Sequence, residues 1–249
     1  MHNNNLLRPF WQKIFKSQIV LMLILFSILT IPRFWSVLTY KYNLVMFVFL
    51  TMWFLPFIFL SKSGRFQIGI KKPSRFIFLI PCILLGIIAA LIVFFIGNFL
   101  FGRTQDNWFI SIATSYFSNV NIKDIKDNRL LFFTIYTSMS IMFSPIGEEF
   151  FFRGMIHESI SKRFNNTTAL LIDSSAFATV HMAHHGLYLR NGVPRFLLIS
   201  GLLWITLMFF TSMLFYYSRK ISGSIWGAIV THVSFNFVMN WTIFYILIN

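Results

Sequence analysis

The sequence predicts an all-α fold, a polytopic bundle of transmembrane helices. Apolar residue types make up 57% of the 249 residues, and charged types make up only 11%. The mean hydropathy is +0.71. A soluble protein carries about 25% charged residues, so this chain has too few charges to cover a water-facing surface. The composition therefore excludes a soluble globular enzyme, a disordered tail and a nucleic-acid-binding domain, and the length suits a single membrane domain over 1–249.

Seven apolar runs along the chain predict about seven membrane spans, with six or eight as the alternatives. The runs lie at about 17–32, 43–60, 76–101, 130–146, 167–183, 196–218 and 222–248. A bilayer core needs roughly 20 residues, which the third, sixth and seventh runs supply unaided. The first and fifth runs are short and need flanking residues to complete a crossing.

The first run begins like a signal peptide, because Arg8, Lys13 and Lys16 precede the apolar stretch. The residues Pro-Arg-Phe-Trp follow at 32–35, and no small-residue cleavage site accompanies them. We therefore expect a retained first membrane span rather than a removed leader.

The basic residues predict the orientation. Lys and Arg number 21 against seven Asp and Glu, which gives a formal net charge of +14. They lie between the apolar runs, which is typical of topology signals and of lipid headgroup contacts rather than of nucleic-acid binding. The 61–75 connection contains five basic residues and no acid, and the N-terminal tail contains three more. The sequence thus predicts an integral, multi-pass membrane protein with a cytoplasmic N-terminus.

Three groups of polar residues interrupt the later apolar runs. They are Gly-Glu-Glu-Phe-Phe-Phe-Arg-Gly at 147–154, Phe-Ala-Thr-Val-His at 177–181 and His-Val-Ser-Phe-Asn at 232–236. Ionisable residues at membrane depth are costly and by default mark a functional site. In the first group, an α-helix would bring Glu149 and Arg153 together as an ion pair, because they are four residues apart. Glu148 lies about 100° around the helix from Glu149 and can face a cavity.

The three groups are expected at similar depths. At 1.5 Å per residue from the expected cytoplasmic helix ends, Glu148 lies at roughly 21 Å, His181 at roughly 22 Å and His232 at roughly 15 Å. Asn236 shares a helix face with His232, one turn further on. We therefore expect Glu148, His181, His232 and Asn236 to converge on one polar cavity among the fourth, fifth and seventh helices.

Such a cavity suits the activation of a water molecule. A carboxylate in a water-poor pocket is a useful general base. Neutral imidazoles of His181 and His232 can bind a divalent metal ion such as Zn²⁺ or act on a developing oxyanion, and Asn236 can orient the second imidazole or assist with the oxyanion. If a metal is bound, its ligands would be His181, His232 and Glu148. The reaction would be hydrolysis of an amide bond inside the membrane, without the HExxH helix of common zinc proteases.

In this order on separate apolar helices, the three groups resemble the motifs EExxxR, FxxxH and HxxxN/B of the CPBP family. That family comprises CAAX prenyl proteases and bacteriocin-processing enzymes and is also called the Abi family. The resemblance covers roughly 130–240, a CPBP-like catalytic core, and the first 75 residues lie outside it. It implies an intramembrane endopeptidase, either glutamate-dependent or metal-dependent, with four catalytic residues. They are Glu148, His181, His232 and Asn236, with Glu149, Arg153 and Phe177 in supporting positions.

The resemblance also implies a biological setting. Bacterial members are linked to bacteriocin maturation or self-immunity, so we expect a bacterial cell membrane and a peptide substrate near the bilayer. The oligomeric state stays open. Two alternatives remain: a non-catalytic bacteriocin-immunity membrane protein that retains the site, and a proton-coupled transporter in which Glu148 and the histidines relay protons. The complete motif set argues against the transporter, because a proton relay does not need Asn236 one turn after a histidine.

Three polar positions lie outside the motifs. Asp173 stands where the family pattern leads us to expect an uncharged residue, and it is expected to pair with Arg153 or to lie in the cavity mouth. His157 is expected on a solvated cytoplasmic stretch. His184 is expected at the outer interface, where it could replace His181 as a ligand.

Overall fold

The computed structural model describes residues 5–39, 41, 43–117, 120–190 and 192–248. The helices are α1 (Pro9–Ile14), α2 (Gln18–Thr39), α3 (Asn43–Phe59), α4 (Lys62–Gln67), α5 (Leu79–Phe101), α6 (Trp108–Tyr116), α7 (Ile122–Asp127), α8 (Arg129–Glu148), α9 (His157–Ser161), α10 (Asn166–Val180), α11 (Leu198–Ser222) and α12 (Ile225–Thr242). Short 3₁₀ turns cover Phe76–Phe78 and His181–Ala183, and π-helical segments cover Glu149–Ile156 and Ile243–Leu247. Strands β1 (Leu187–Arg190) and β2 (Val193–Phe196) form an antiparallel hairpin that pairs Leu187 with Phe196.

The predicted class, a multi-pass helical membrane protein, is confirmed. Within the described residues, five helical segments are long and apolar enough to cross a membrane: Gln18–Thr39, Phe76–Phe101, Arg129–Ser161, Leu198–Ser222 and Ile225–Leu247. Each of the seven apolar runs corresponds to a helix. The count of seven spans is not confirmed, because α3 has 17 residues and α10 has 15, fewer than the roughly 20 that a straight crossing needs.

Two helices continue through a proline at which the apolar pattern changes. Helix α2 contains Pro32 and extends to Thr39, seven residues beyond the end of the first run. Helix α8 contains Pro145, and the helical path then continues through the π-helical segment and α9 to Ser161. Proline removes one helical hydrogen bond, but inside a membrane bundle neighbouring groups can compensate for the loss. The extension of α2 places Arg33 within a helix that packs against the rest of the bundle.

The basic connections meet at one end of the bundle. The backbone N–H of Ser61 donates to the carbonyl of Leu6 at 3.0 Å, which joins the N-terminal tail to the 61–75 connection. The N–H of Ser74 donates to the carbonyl of Ser222 at 2.9 Å, which joins that connection to the turn between α11 and α12. The connections that the charge pattern assigns to a common side of the membrane therefore share one end of the structure.

The outer surface carries large apolar side chains, whereas the closest helix contact depends on a glycine. Large apolar side chains such as Phe99, 88% exposed, point outward as expected for a lipid-facing surface. Between α5 and α12 the backbones approach so closely that a Cβ at Gly86 would lie 2.1 Å from the carbonyl oxygen of Thr231. Small residues permit this type of close helix packing in membranes. Gly86 thereby fixes the position of α12, which carries the HxxxN motif.

We expect Gly86→Ala to lower the thermal unfolding midpoint of the detergent-solubilised protein. The added methyl group has to push α5 and α12 apart, and overpacking of this type costs about 1–3 kcal/mol. Ile88→Ala is the matched control, because the Ile88 side chain is 53% exposed on the same helix. An unchanged midpoint for Gly86→Ala would contradict the close contact between the two helices.

Candidate active site

Glu148, the last residue of α8, is fully buried. Its Oε1 lies 2.6 Å from Nη1 of Arg33, an ion pair between residues 115 positions apart. Its Oε2 accepts a hydrogen bond of 3.1 Å from the Ser144 hydroxyl, one turn earlier on the same helix. Nε2 of His232 lies 3.8 Å from the same Oε2, too far for a direct hydrogen bond. One carboxylate oxygen is thus held by a guanidinium, and the other faces an imidazole across a short gap.

Glu149 begins the π-helical segment and faces a different set of partners. Its Oε1 lies 2.8 Å from Nδ1 of His232, and its Oε2 lies 3.3 Å from Nε of Arg153. Because a carboxylate only accepts hydrogen bonds, Nδ1 of His232 carries a proton. In neutral His232, Nε2 is therefore the unprotonated nitrogen, and it is the nitrogen that faces Glu148.

Arg153 is fully buried and packs against aromatic rings. Its guanidinium carbon lies 4.0 Å from the ring centroid of Phe177 and 5.1 Å from that of Phe215. Contacts of this type stabilise a buried cation through the negative face of the ring. Within the described residues, the N–H groups of Arg153 have no aligned hydrogen-bond acceptor, and the closest contacts of its guanidinium are the ion pair with Glu149 and the aromatic rings.

His181 begins the 3₁₀ turn that ends α10. Its Nδ1 lies 2.7 Å from the carbonyl oxygen of Phe177. A carbonyl only accepts, so Nδ1 carries the proton here as well. The Phe177 ring lies 4.1 Å from the His181 ring, and the indole N–H of Trp204 donates to the His181 carbonyl at 2.9 Å. The FxxxH motif therefore fixes the orientation of the imidazole through both the backbone and the ring of its phenylalanine.

Asn236 lies one turn after His232 on α12 and ties that helix to α8. Its side-chain amide donates to the carbonyl of Ser140 at 3.1 Å. Asn240, a further turn along, donates to the Ser140 hydroxyl at 2.6 Å. The HxxxN motif thus combines an imidazole directed at the glutamates with an amide that holds the two helices together.

One cavity of about 660 Å³ is lined by His181, His232 and Asn236, whereas Glu148 lies next to the lining and is not part of it. Helices α2, α3, α6, α8, α10, α11 and α12 contribute to its lining. Its polar lining includes Arg33, Ser144, His181, His184, His232 and Asn236, and Glu148 contacts three of these residues from behind. Most of the remaining lining is apolar, including Phe49, Met139 and Phe235. A largely apolar cavity with a few convergent polar groups is typical of a ligand or substrate site.

Sequence reasoning missed Arg33. Its side chain is only 1% exposed, its Nη2 donates to Nε2 of His184 at 3.1 Å, and it packs over the ring of Phe49. Arg33 directly follows the first apolar run, which the hydropathy pattern ends at residue 32. The available signal was a lone arginine next to an apolar helix, a position at which a charge normally has a function.

The expectations for two histidines and for Asp173 require correction. His184 lines the cavity and accepts a hydrogen bond from Arg33, so it belongs to the site rather than to an outer interface. His157 is 2% exposed instead of solvated, because α9 continues the long helix into the bundle and packs on α10. Its Nδ1 lies 2.6 Å from Oδ2 of fully buried Asp173. Among the described residues, Asp173 therefore forms its ion pair with His157 rather than with Arg153, and it does not line the cavity.

The residues predicted as metal ligands do not form a metal site in this arrangement. Among the described residues, no group of three or more His, Cys, Asp or Glu is placed to hold a metal ion. The guanidinium of Arg33 contacts both Glu148 and His184. A positive charge thus lies against Glu148 and His184, two groups whose unshared electron pairs a metal ion would need. The donor set of Glu148, His181 and His232 does not fit a divalent metal here.

Comparison with known proteins supports the interpretation of the motifs. The family model described as type II CAAX prenyl endopeptidase Rce1-like matches residues 130–238. All three motifs lie within the matched segment, and α2 with Arg33 lies outside it. Comparison with curated proteins and with solved structures gives no significant match. The resemblance inferred from the motifs is confirmed for the segment that carries them: residues 130–238 of this multi-pass membrane protein match the Rce1-like, type II CAAX prenyl endopeptidase model.

Proposed function

We propose that this protein is an intramembrane endopeptidase that hydrolyses a peptide bond with a water molecule activated by Glu148. The observation that carries the proposal is the buried Glu148 carboxylate with Oε2 3.8 Å from Nε2 of His232. A polar contact of that length is commonly bridged by water. Both atoms are acceptors, so they would take the two hydrogens of one water and direct its oxygen toward a peptide carbonyl in the cavity.

The reaction then needs no covalent intermediate with the protein. Glu148 takes a proton from the water, the water oxygen bonds to the carbonyl carbon, and the carbonyl electron pair moves onto its oxygen. Collapse of this tetrahedral species breaks the C–N bond, and Glu148 passes the proton to the departing nitrogen. Glu149 holds His232 in the required orientation, and His181 provides a second imidazole at the same cavity.

We expect Glu148→Gln to abolish cleavage while leaving the protein folded. The substitution removes the base, and a positioned general base contributes about 10²–10⁴-fold to the rate. The measurement is cleavage of a farnesylated CAAX peptide and of a precursor peptide with a double-glycine leader by purified protein in liposomes. Glu158→Gln is the matched control. Glu158 does not line the cavity, and its Oε1 lies 2.6 Å from Nη2 of Arg219. Equal cleavage by Glu148→Gln and wild type would refute the role of Glu148.

We expect cleavage to survive chelation. The guanidinium of Arg33 lies between Glu148 and His184, and the described residues do not form a group of metal ligands. We therefore expect 1,10-phenanthroline to find no metal ion to remove from these side chains. The measurement is the cleavage rate before and after chelation, with Zn²⁺ added back. Loss of activity in chelator and recovery with Zn²⁺ would instead assign His181, His232 and Glu148 as metal ligands.

We further propose a bacterial peptide as the natural substrate, with a role in bacteriocin maturation or self-immunity. The resemblance to bacterial CPBP proteins supports this setting, and the apolar cavity suits a peptide that lies close to the lipid. A producing strain that carries Glu148→Gln should lose peptide maturation or self-protection. Retention of the full biological effect would favour the non-catalytic immunity protein over the protease.

We also propose that the N-terminus and the 61–75 connection face the cytoplasm of a bacterial cell. The positive-inside rule supports this orientation. Because the chain contains a single cysteine, Cys82, Cys82→Ser gives a background for accessibility labelling. In that background, Gln105→Cys should react with a membrane-impermeant maleimide in intact spheroplasts, and Lys72→Cys should react only after permeabilisation. The reverse pattern would contradict the orientation.

A further inference from the structure

Neither His181 nor His232 has an N–H left for a ligand. Nδ1 of His181 donates to the carbonyl of Phe177, and Nδ1 of His232 donates to Glu149. In neutral imidazoles, the remaining Nε2 atoms are therefore acceptors. Acceptors can hold the hydrogens of a water molecule, but they cannot stabilise the negative oxygen that forms when water adds to a peptide carbonyl.

Two cations line the cavity among the described residues, Arg33 and Lys41. Lys41 is exposed, whereas Arg33 is buried and contacts Glu148 directly. A guanidinium carries five N–H donors in a fixed plane. One Arg33 donor binds Oε1 of Glu148, a second binds Nε2 of His184, and its buried Nε has no partner within the described structure. Nη1 and Nη2 each keep a second N–H, and Arg33 lines the cavity, so Arg33 has donors left for a ligand there.

We propose that Arg33, contributed by α2 outside the family-matched segment, is a further catalytic residue of this site. Through Nη1 it fixes Glu148 so that Oε2 is left for water. With a remaining N–H it donates to the oxygen of the scissile carbonyl as negative charge develops there. The inference rests on the proposed function and assigns the stabilisation of the oxyanion in that reaction to an arginine of this chain.

The test compares wild type, Arg33→Gln and Arg33→Lys in the farnesylated-peptide and leader-peptide assays. Removal of one oxyanion donor typically lowers kcat about 10²–10³-fold. Because the donor acts in the transition state, kcat of Arg33→Gln should fall by that amount with little change in KM. Arg33→Lys keeps the charge and one donor direction but not the planar fork, so it should be at least about tenfold more active than Arg33→Gln. Arg75→Gln, an exposed arginine in the 61–75 connection, is the matched control.

A second measurement is independent of catalysis. Thermal unfolding of Arg33→Gln, Glu148→Gln and the double variant forms a double-mutant cycle. Each single substitution leaves a buried charge unpaired and should lower Tm, and the double variant should lose less than the sum of the two. Additive losses would contradict the pairing on which the proposal depends.

The outcomes separate the two claims. Wild-type cleavage with unimpaired kcat for Arg33→Gln would overturn the role of Arg33 and leave the protease intact. A loss for Arg33→Gln that only follows its folded fraction, without rescue by lysine, would also overturn it. Absence of cleavage by wild type, or full cleavage by Glu148→Gln, would contradict the proposed function itself.

Discussion

A carboxylate that stays ionised inside an apolar helix bundle requires a cation beside it, and the site is organised around this requirement. An unpaired charge removed from water is strongly unfavourable, whereas a paired and hydrogen-bonded one is tolerated. Glu148 and Glu149 are adjacent and fully buried. Arg33 lies 2.6 Å from the first and Arg153 lies 3.3 Å from the second. Two arginines from different parts of the chain thus allow two neighbouring carboxylates to coexist in the core.

The two ion pairs have different surroundings, which divides their roles. Arg153 packs against Phe177 and is absent from the cavity lining, so its pair with Glu149 stabilises the wall of the site. Arg33 lines the cavity itself and can reach a bound ligand. The π-helical segment begins at Glu149, directly after Glu148, and irregular helical turns of this kind are frequent at functional sites.

The sequence was most informative where the structure depends on local spacing. The four-residue interval between Glu149 and Arg153 predicts a pair that needs only the helix between them. Helices α3 and α10, by contrast, are shorter than a straight crossing needs, so hydropathy alone does not fix the number of spans. Arg33 could not be assigned, because no periodic pattern relates it to a glutamate 115 positions away. The hydropathy pattern placed it beyond the first span, and only the continuation of α2 through Pro32 brings it inside.

The orientation of the imidazoles is the other property that sequence could not supply, and it has chemical consequences. A histidine in a motif can present either nitrogen, and the choice is made by whichever acceptor lies behind it. Here the acceptors are the Phe177 carbonyl and the Glu149 carboxylate, and both hold Nδ1. In the proposed reaction, the family-matched segment supplies the base and acceptors for water, and the positive charge that lines the cavity comes from outside that segment. Helix α2 supplies it, which makes the N-terminal region a chemical part of the site as well as a membrane anchor.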